Sequence, residues 1–515
     1  MRRLRAELAD TEGATVAAMR RNPVLLDGEL ARANLDVRLA EHDSGYFHAR
    51  NPALWTGEAI FGVVGLMIRD FAPLPERLPA IAARLRAIPA FLAALPAAIT
   101  VPVPAPWLAR AARECDAADG LFDRGLRAWL VQEGVGDDAA APVLEAATQA
   151  RAAFATLGTW VDAHQFADEA DCAVGNTTFS ILLRRGHCCD RTPRELLEAA
   201  LAQLPRQQER LAAMLEEFGG TWEGAQAALA ADRPTTATYY ATFERRWHDC
   251  RAIVEAHDAV TWGDWPIRYV PIPPWAREFA PQLYWLFYRS PAPFDPYTVY
   301  DYVVTPVDAT MPHDEQERRL RAWNNSTITL NHVVHHGAVG HHVQNWHARY
   351  RATSRIGRIA ATDCASRIAM FQGGSMAEGW ACYATLLMGE LGMLTPLEQL
   401  SEQHTTVRML ARAIVDIRLH LQLCTFGEAV QFYQDVVGMS MDVATAETTK
   451  NSMFPCTALM YWLGTGTILA LREELRLQHE VRGTPFVLRT FHDELLSRGA
   501  IPVMLAATLM TEGDT

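Results

Sequence analysis

This 515-residue chain has few cysteines, no concentration of basic charge and no uninterrupted apolar run. The nine cysteines include the adjacent pair Cys188-Cys189 but no CxxC motif, which argues against a disulfide framework or a cysteine-rich zinc ribbon. The formal net charge is -13, and no basic stripe is visible, although arginine greatly outnumbers lysine. Binding to nucleic acid phosphates needs such a stripe, so we expect no nucleic-acid partner.

The sequence also lacks an evident segment for export or for crossing a membrane. Residues 1–7 lead directly into charged amphipathic sequence without the apolar core of a secretory signal, so we expect a cytoplasmic protein. Residues 87–109 form an uncharged run long enough to span a bilayer, but five prolines interrupt it. A buried helix followed by an extended proline segment explains this run, and we expect no membrane partner.

Helical periodicity dominates the chain. Apolar residues recur three or four positions apart in residues 78–92, 196–204 and 410–421, which gives each segment one buried stripe. Thr192, Pro193 and Glu195 form the pattern of a capping box and predict a helix start. Half of the residues are hydrophobic, so we predict a large buried interior and a mostly α, multi-helix fold.

The sequence from about Gly263 to Pro306 is different, because it is rich in Trp, Tyr and Pro. Such sequence is typical of a connector that contains short β-strands or irregular structure. A chain of this length usually forms two or three lobes, although helical enzymes can merge them into one domain. We predict an N-terminal helical lobe over residues 1–290 and a metal-site helical lobe over residues 291–515, with a soft boundary near 290.

The strongest functional pattern is the histidine-rich stretch NHVVHHGAVGHHVQNWH, from Asn331 to His347. Neutral imidazole is the commonest protein ligand for metals, and several buried imidazoles need a metal or hydrogen-bond partners. On a regular helix His332 and His336 are four residues apart and share one face. The stretch therefore predicts a metal site.

A second pairing of histidines requires a distorted helix. His335 and His341 are six residues apart, so a regular helix would turn the second side chain well away from the first. Gly337 and Gly340 make a bulge easy to form, and a bulge would let the two imidazoles converge. The spacing alone leaves both pairings open.

The same stretch resembles the HExxPGHHxQ signature of the domain-of-unknown-function family 885, a group of bacterial proteins regarded as relatives of zinc metallopeptidases. The matching residues are His335, Gly340, His341, His342 and Gln344. The family signature is similar to HExxH with two extra residues before the second histidine. The resemblance implies a metallopeptidase-like helical fold with His335 and His341 as metal ligands.

Further segments extend the resemblance over nearly the whole chain. Three downstream family motifs have counterparts in the same order: EGWA at residues 378–381, R-x3-D-x3-H at Arg412, Asp416 and His420, and Pro-Gly-Gln-Ala…Tyr…Gly at residues 455–464. Upstream, Asn51-Pro52 and residues 85–95 are also similar to the family.

Glu378 is the expected third metal ligand. A carboxylate with two imidazoles forms a ligand set that leaves one metal position open for chemistry. Glu378 follows two glycines and begins an apolar helix, so the alternative is a helix-start Glu that interacts with the helix dipole. For His335 and His341 the alternative is a pair of hydrogen-bonded core histidines.

Two positions depart from the family signature: His336 replaces the Glu after the first histidine, and Val339 replaces the Pro. The missing Glu is the usual general base, and a positioned base contributes about 10²–10⁴ in rate. Three outcomes remain open for His336. It accepts the proton of the attacking water, it becomes a further metal ligand beside Glu378, or the site binds without catalysing.

Four further residues are candidates at the site. Tyr461 and His420 are candidate catalytic residues, with Tyr461 as the donor to an oxyanion. Arg412 and Lys450 are candidates for binding the substrate, because a retained cation can bind a carboxylate. The alternatives are a core tyrosine at Tyr461 and an intrahelical salt-bridge stripe along Arg412, Asp416 and His420.

Other histidines receive lesser roles. His332, His342 and His347 are candidates for contacting the metal ligands rather than the metal. A second possible ligand pattern, at helical spacing, consists of His164, Asp168 and Asp171. The charges around that pattern indicate a solvated helix face instead.

Together these residues predict metal-dependent hydrolysis of an amide or peptide-like bond in a small or short peptide-like substrate. The cofactor is a divalent metal, with Zn²⁺ favoured and Fe(II) as the alternative. Two other functions remain open: a non-haem iron oxidoreductase or lyase, and an inactive binding protein derived from a peptidase.

Overall fold

The computed structural model describes residues 1–8, 15–167, 172–283, 300–360 and 373–511. Most of them are helical, which confirms the predicted fold class. The α-helices are α1 (Arg2–Glu7), α2 (Val16–Arg21), α3 (Pro23–Asp43), α4 (Pro52–Met67), α5 (Leu74–Ala93), α6 (Leu95–Ala98), α7 (Ala105–Gly120), α8 (Leu126–Gln132), α9 (Asp137–Ala163), α10 (Asn176–Ile181), α11 (Pro193–Leu215), α12 (Trp222–Ala231), α13 (Tyr239–Ala256), α14 (His313–Ala322), α15 (His341–Tyr350), α16 (Arg355–Ala360), α17 (Gly374–Glu390), α18 (Pro396–His420), α19 (Phe426–Val437), α20 (Met441–Met453), α21 (Met460–Val481), α22 (Leu488–Ser497) and α23 (Val503–Thr511).

Other helix types and a few strands complete the described structure. The π-helices are Leu121–Gly125, Leu182–Gly186 and Thr327–Gly337, and the 3₁₀ turns are Glu216–Phe218 and Pro274–Ala276. Two small sheets pair β1 (Val103–Pro104) with β2 (Phe166–Ala167) and β3 (Ile267–Pro271) with β4 (Tyr300–Val304). The second sheet confirms the short strands predicted in the Trp- and Pro-rich connector.

The chain groups into two compact units. The larger unit contains residues Met1–Ala40, Gly175–Val270 and Tyr288–Thr515, and the smaller unit contains Glu41–Val174 and Pro271–Phe287. The boundary near residue 290 falls outside the described residues, and the two-lobe division stays a prediction. The larger unit takes sequence from both sides of that boundary.

Local sequence determines several helix starts. Thr192, Thr395 and Thr425 each accept a hydrogen bond from the backbone three residues later, and the Glu at that position binds back to the Thr backbone. These reciprocal bonds satisfy N–H groups that have no partner within the helix. The first of the three confirms the capping box predicted from the sequence.

The segment Leu74–Ala98 is the one helical stretch in the described residues that is long and apolar enough to cross a membrane. Its apolar stripe is the one predicted over residues 78–92, and α5 packs this stripe against α9 within the smaller unit. The opposite face is polar and exposed, with Glu76, Arg84 and Arg86 on it. This pattern is typical of a helix at the edge of a protein core.

In the larger unit α17 and α21 cross at two glycines. A Cβ atom added at Gly379 would lie 2.6 Å from the Cα of Gly464, and one added at Gly464 would lie 2.1 Å from the carbonyl oxygen of Ser375. Neither position has room for a side chain, so the two backbones pack directly. This contact fixes the beginning of α17, where Glu378 is located.

Gly379→Ala is expected to destabilise the protein by about 1–3 kcal/mol, because the added methyl group must push α17 away from α21. Gly389→Ala, on the same helix, is the matched control, since its Cβ would meet only the Leu394 side chain at 3.5 Å. Alanine is also the better helix former, so the control is neutral or stabilising. Thermal unfolding followed by circular dichroism compares them, and equal midpoints would contradict the close crossing.

Candidate metal centre

The histidine-rich stretch does not form one regular α-helix. Thr327–Gly337 is a π-helix, and α15 begins at His341 after a break. The N–H of Gly340 donates to the carbonyl of Val334 at 2.8 Å, a span of six residues rather than the four of an α-helix. The backbone therefore departs from regular helix geometry between His335 and His341, the two histidines that can converge only across a bulge.

Glycine permits the two tightest points of this segment. A Cβ atom at Gly340 would lie 1.9 Å from the carbonyl oxygen of His335, and one at Gly337 would lie 2.2 Å from the hydroxyl of Tyr269. Only a residue without a side chain allows such close approach. These are the two glycines that the sequence indicated as the site of the bulge.

Two indole groups hold the carbonyl groups of the irregular segment. Trp247 Nε1 donates to the carbonyl of Gly337 at 2.9 Å, and Trp380 Nε1 donates to the carbonyl of Val339 at 2.8 Å. Buried carbonyl groups outside a helical ladder need partners of this kind. Because Trp380 follows Glu378 by two residues, the EGWA motif is attached directly to the histidine segment.

The bend brings His335, His341 and Glu378 together. Glu378 Oε2 lies 3.2 Å from His335 Nε2 and 3.6 Å from His341 Nε2. Ligand atoms held tetrahedrally at about 2.0–2.1 Å from Zn²⁺ lie about 3.4 Å from one another. Both separations therefore fit a single small cation between the three side chains.

His336 is the third imidazole of this cluster. The ligand atoms of His335, His336 and His341 lie within 4.8 Å of one another. His336 Nδ1 is 2.6 Å from the carbonyl oxygen of Asn331, so this nitrogen carries the proton and donates it. The Nε2 atom of His336 consequently keeps its lone pair as an acceptor.

Burial and proximity set the charges in the cluster. Burial lowers the pKa of His335, although its hydrogen bond with Glu378 opposes the shift. Burial and the nearby His335 and His341 hold the pKa of His336 well below its usual value. Burial raises the pKa of Glu378, but the imidazoles of His341 and His335 outweigh it, so its pKa lies well below the usual range. Neutral imidazoles beside an ionised carboxylate are the forms that bind metal.

The regular-helix pairing of His332 with His336 is not formed. His332 is buried, its Nδ1 is hydrogen-bonded to the hydroxyl of Tyr302 at 2.7 Å, and its ring stacks on Trp323 with centroids 4.0 Å apart. Burial lowers the pKa of His332 to about 3, which keeps the ring neutral. His332 is therefore a core histidine.

His342 and His347 anchor α15 to the preceding connector. His342 Nε2 lies 2.6 Å from the carbonyl oxygen of Trp265 and its ring stacks on that indole, while His347 Nε2 lies 2.9 Å from the carbonyl oxygen of Thr261. These partners are main-chain groups outside the histidine cluster. His164 is bound to the carbonyl of Val101, and Asp168 and Asp171 of that weaker pattern lie outside the described residues.

Arg412 is paired with a carboxylate of its own chain. Its Nε and Nη2 atoms each donate to Glu447 at 2.8 Å, and its guanidinium lies over the ring of Tyr461 at 5.2 Å. Lys450 follows Glu447 by three residues on α20. Its charge also lowers the pKa of Glu447, after burial and Arg412. Arg412 thus pairs with α20 and not with Asp416, so the intrahelical stripe is formed only in part: His420 Nε2 and Asp416 Oδ1 lie 3.7 Å apart on α18.

Asp416 and His420 lie in the core. The Asp416 carboxylate accepts from the N–H groups of Cys456 and Leu459, both at 3.0 Å, and secures the turn before α21. His420 Nε2 is 3.0 Å from the carbonyl oxygen of Asn451, and the side chain is completely buried. The structure gives His420 this anchoring position instead of the predicted catalytic one, because a fully buried ring cannot reach a substrate.

Arg408, which is not among the predicted site residues, lies one turn before Arg412 on α18. Its Nε atom is buried, and within the described part of the chain it has no hydrogen-bond partner. The available signal was the four-residue spacing, because two arginines on one face of a helix repel each other unless something compensates them.

A buried network holds α17 from another side. The hydroxyl of Tyr383 is 2.7 Å from His492 Nε2, and His492 Nδ1 is 2.6 Å from the carbonyl oxygen of Ala259. The carbonyl can only accept, so Nδ1 donates to it and Nε2 accepts from the tyrosine. Burial lowers the pKa of His492 to about 4, so the folded protein holds this ring neutral.

The sequence matches, over residues 1–510, the family described as a bacterial protein of unknown function, DUF885. The chain belongs to the DUF885 family. This confirms the family resemblance seen in the sequence. No protein with a curated description matches the chain.

Two solved structures share the fold. One is a "putative lipoprotein of unknown function" from Shewanella oneidensis, with 19% identity and a TM-score of 0.72 over 98% of this chain and 91% of the other. The second is a "putative lipoprotein" from Colwellia psychrerythraea, with 16% identity and a TM-score of 0.65 over 84% of this chain and 75% of the other. At these identities the similarity establishes the helical fold of the DUF885 protein.

These neighbours contradict the predicted location. Both are described as lipoproteins, so the cytoplasmic location expected from residues 1–7 is wrong. An export signal is a short terminal segment that is separate from the packed fold. The first few residues therefore carried little information about location.

Acid is expected to destabilise the protein through His492. Its pKa is 6.5 when unperturbed and about 4 in the fold, so below pH 6.5 the unfolded chain binds a proton that the folded chain does not. Stability is therefore lost as the pH falls from about 6.5 to about 4, at about 1.4 kcal/mol per pH unit for this group.

His492→Gln is expected to lower stability at pH 7 but to make its further loss toward pH 5 less steep by about one proton. Urea unfolding at pH 7, 6 and 5 measures this slope, with the exposed His313→Gln as the control. A slope equal to that of the unaltered protein would show that His492 is not held neutral.

Proposed function

We propose that this DUF885 protein is a metal-dependent hydrolase of amide or peptide-like bonds in small substrates. One observation carries the proposal: Glu378 Oε2 lies 3.2 Å and 3.6 Å from two imidazole nitrogens that are six residues apart in sequence. Hydrogen bonding among core residues does not need this convergence, whereas a small cation does. Family membership alone assigns no activity.

His335, His341 and Glu378 would hold the metal. Their side chains are 13%, 11% and 21% exposed, so the cluster is shielded but can still be reached by a substrate. Two imidazoles and a carboxylate suit Zn²⁺ and leave a position open. When bound in such a set, zinc supplies a water of lowered pKa, near about 7, and polarises a carbonyl group.

His336 takes the part of the missing glutamate in this proposal. Its Nδ1–H is held by the carbonyl of Asn331, which leaves Nε2 as the nitrogen with the lone pair, in a ring whose centroid lies 4.6 Å from that of His335 and 5.2 Å from that of His341. The Nε2 atom accepts the proton of the attacking water and returns it to the leaving amine. Tyr461, partly buried against the guanidinium of Arg412, is the proposed donor to the oxyanion.

A second candidate function rests on the same ligand set, because two histidines and one carboxylate also bind non-haem Fe(II). The metal content of protein purified without added metal separates the two candidates. Zinc with oxygen-independent amide hydrolysis supports the proposal, whereas iron with oxygen-dependent turnover supports an oxidoreductase or lyase. A binding protein derived from a peptidase would turn over no amide substrate with either metal.

For its location, we propose a compartment outside the cytoplasm. The support is the description of both structural neighbours as lipoproteins. Fractionation of the native host cells, followed with an antibody, tests this separately from the chemistry.

Removing a ligand is expected to abolish tight zinc binding. His335→Gln and Glu378→Gln should each weaken Zn²⁺ binding by roughly 100-fold or more, since even partners outside the ligand set contribute 10–100-fold. Isothermal titration of the full chain measures this, with His313→Gln as a control that removes an exposed histidine elsewhere. Equal zinc affinity in the ligand variants and the control would overturn the site.

Substitution of His336 is expected to affect chemistry more than metal binding. His336→Gln should lower kcat for a short peptide amide by about 10²–10⁴, the usual contribution of a positioned base. His336→Glu restores the glutamate of the family signature and should hydrolyse the same substrate faster than His336→Gln. If both variants bind zinc and His336→Gln keeps the full rate, His336 is not the base.

A further inference from the structure

Two arginines lie beside the candidate metal centre. Arg408 and Arg412 are four residues apart on α18, so they share one face of the helix. Glu447 binds Arg412 through two hydrogen bonds of 2.8 Å. Arg408 forms no hydrogen bond or ion pair with any part of the chain that the structure describes, and its Nε atom is buried.

An unpaired guanidinium in this position is unfavourable in the protein alone. A buried charge without a partner loses hydration and gains nothing in exchange. Burial and the like charge of Arg412 both lower the pKa of Arg408. Glu447 already uses both carboxylate oxygens on Arg412, so it offers Arg408 only a distant compensation. An anion from outside the chain would supply the missing partner.

Arg408 is close to the proposed ligands. α18 packs against α17, which carries Glu378, and against the π-helix, which carries His335. The charge of Arg408 acts on the pKa values of both His335 and Cys382: it reinforces the lowering by burial at His335 and opposes the raising by burial at Cys382. Cys382 lies one turn after Glu378 on α17, so Arg408 faces the region between the histidine cluster and the Arg412–Glu447 pair.

We propose that Arg408 binds a carboxylate group of the substrate, so that the hydrolysed molecule carries both an amide or peptide-like bond and a free carboxylate. The choice of scissile bond rests on the proposed function, whereas carboxylate binding does not. The planar guanidinium offers paired N–H donors that match a carboxylate. The neighbouring negative charge of Glu447 disfavours a doubly charged phosphate.

This assignment also explains why the two cations predicted from sequence are less suitable. The Nε and Nη2 donors of Arg412 are occupied by Glu447, and its Nη1 faces the sulfur of Met409. Lys450 lies close enough to Glu447 to lower the pKa of that carboxyl group, after burial and Arg412. Arg408 is the arginine of this face whose donors remain available.

Calorimetric titration of the full-length protein with succinate, with and without Zn²⁺, tests the proposal. Arg408→Gln should weaken succinate binding by roughly 10–100-fold, the effect of losing a hydrogen-bonded charged partner. Arg408→Lys keeps the positive charge but lacks the paired N–H donors of the guanidinium, so its succinate affinity should fall less than that of Arg408→Gln. Arg418→Gln, on the same helix but over the ring of Phe432, is the matched control and should bind as the unaltered protein does.

Thermal unfolding establishes that each variant is folded. If Arg408→Gln does not fold, Arg408→Lys is the variant that tests the proposal. Equal succinate binding by the unaltered protein and the folded Arg408 variants, or no binding at all, overturns the proposal. Phosphate binding that depends on Arg408, without succinate binding, also overturns it. The titration without zinc separates the two proposals. If the protein binds no zinc, the proposed hydrolase function is wrong. Succinate binding that depends on Arg408 would still support carboxylate binding by this residue.

Discussion

The irregular backbone between Gly337 and His341 is the constraint on which the candidate site depends. A regular helix would separate His335 from His341, and the π-helix followed by a break brings them to one carboxylate. The irregularity has identifiable causes, since a residue without a side chain stands at each close approach and two indole N–H groups satisfy the displaced carbonyls. These contacts build the geometry into the fold.

Helix α17 connects this irregular segment to the rest of the larger unit. Within six consecutive residues it supplies the carboxylate of Glu378, the close crossing at Gly379, the indole of Trp380 and the hydroxyl of Tyr383. Glu378 and Trp380 contact the histidine segment, Gly379 contacts α21 and Tyr383 contacts α22. A shift of α17 would disturb all of them together.

Much of the fold and part of the site follow from sequence because they depend on local spacing. Apolar periodicity predicted the buried stripe of α5, and Thr192 with Glu195 predicted a helix start. The pairing of His335 with His341 was predicted only on the condition that the helix carries a bulge. The spacing shows that a regular helix cannot bring them together, but it does not show where the helix is irregular.

Partners that are distant in sequence could not be predicted. Glu447 for Arg412 and Asn451 for His420 come from α20, so these two residues of the R-x3-D-x3-H face make contacts between helices, while Asp416 and His420 also lie 3.7 Å apart within α18. The absence of a partner for Arg408 among the described residues is equally invisible until the helices are packed.

The central claim is that one cation fits between His335, His341 and Glu378. Anomalous diffraction at the zinc absorption edge, from crystals of the full chain grown with Zn²⁺, tests it most directly. The account predicts one strong peak within about 2.0–2.2 Å of His335 Nε2, His341 Nε2 and a Glu378 carboxylate oxygen. A fully occupied peak at other residues, or zinc-saturated crystals without density between these three side chains, would contradict it.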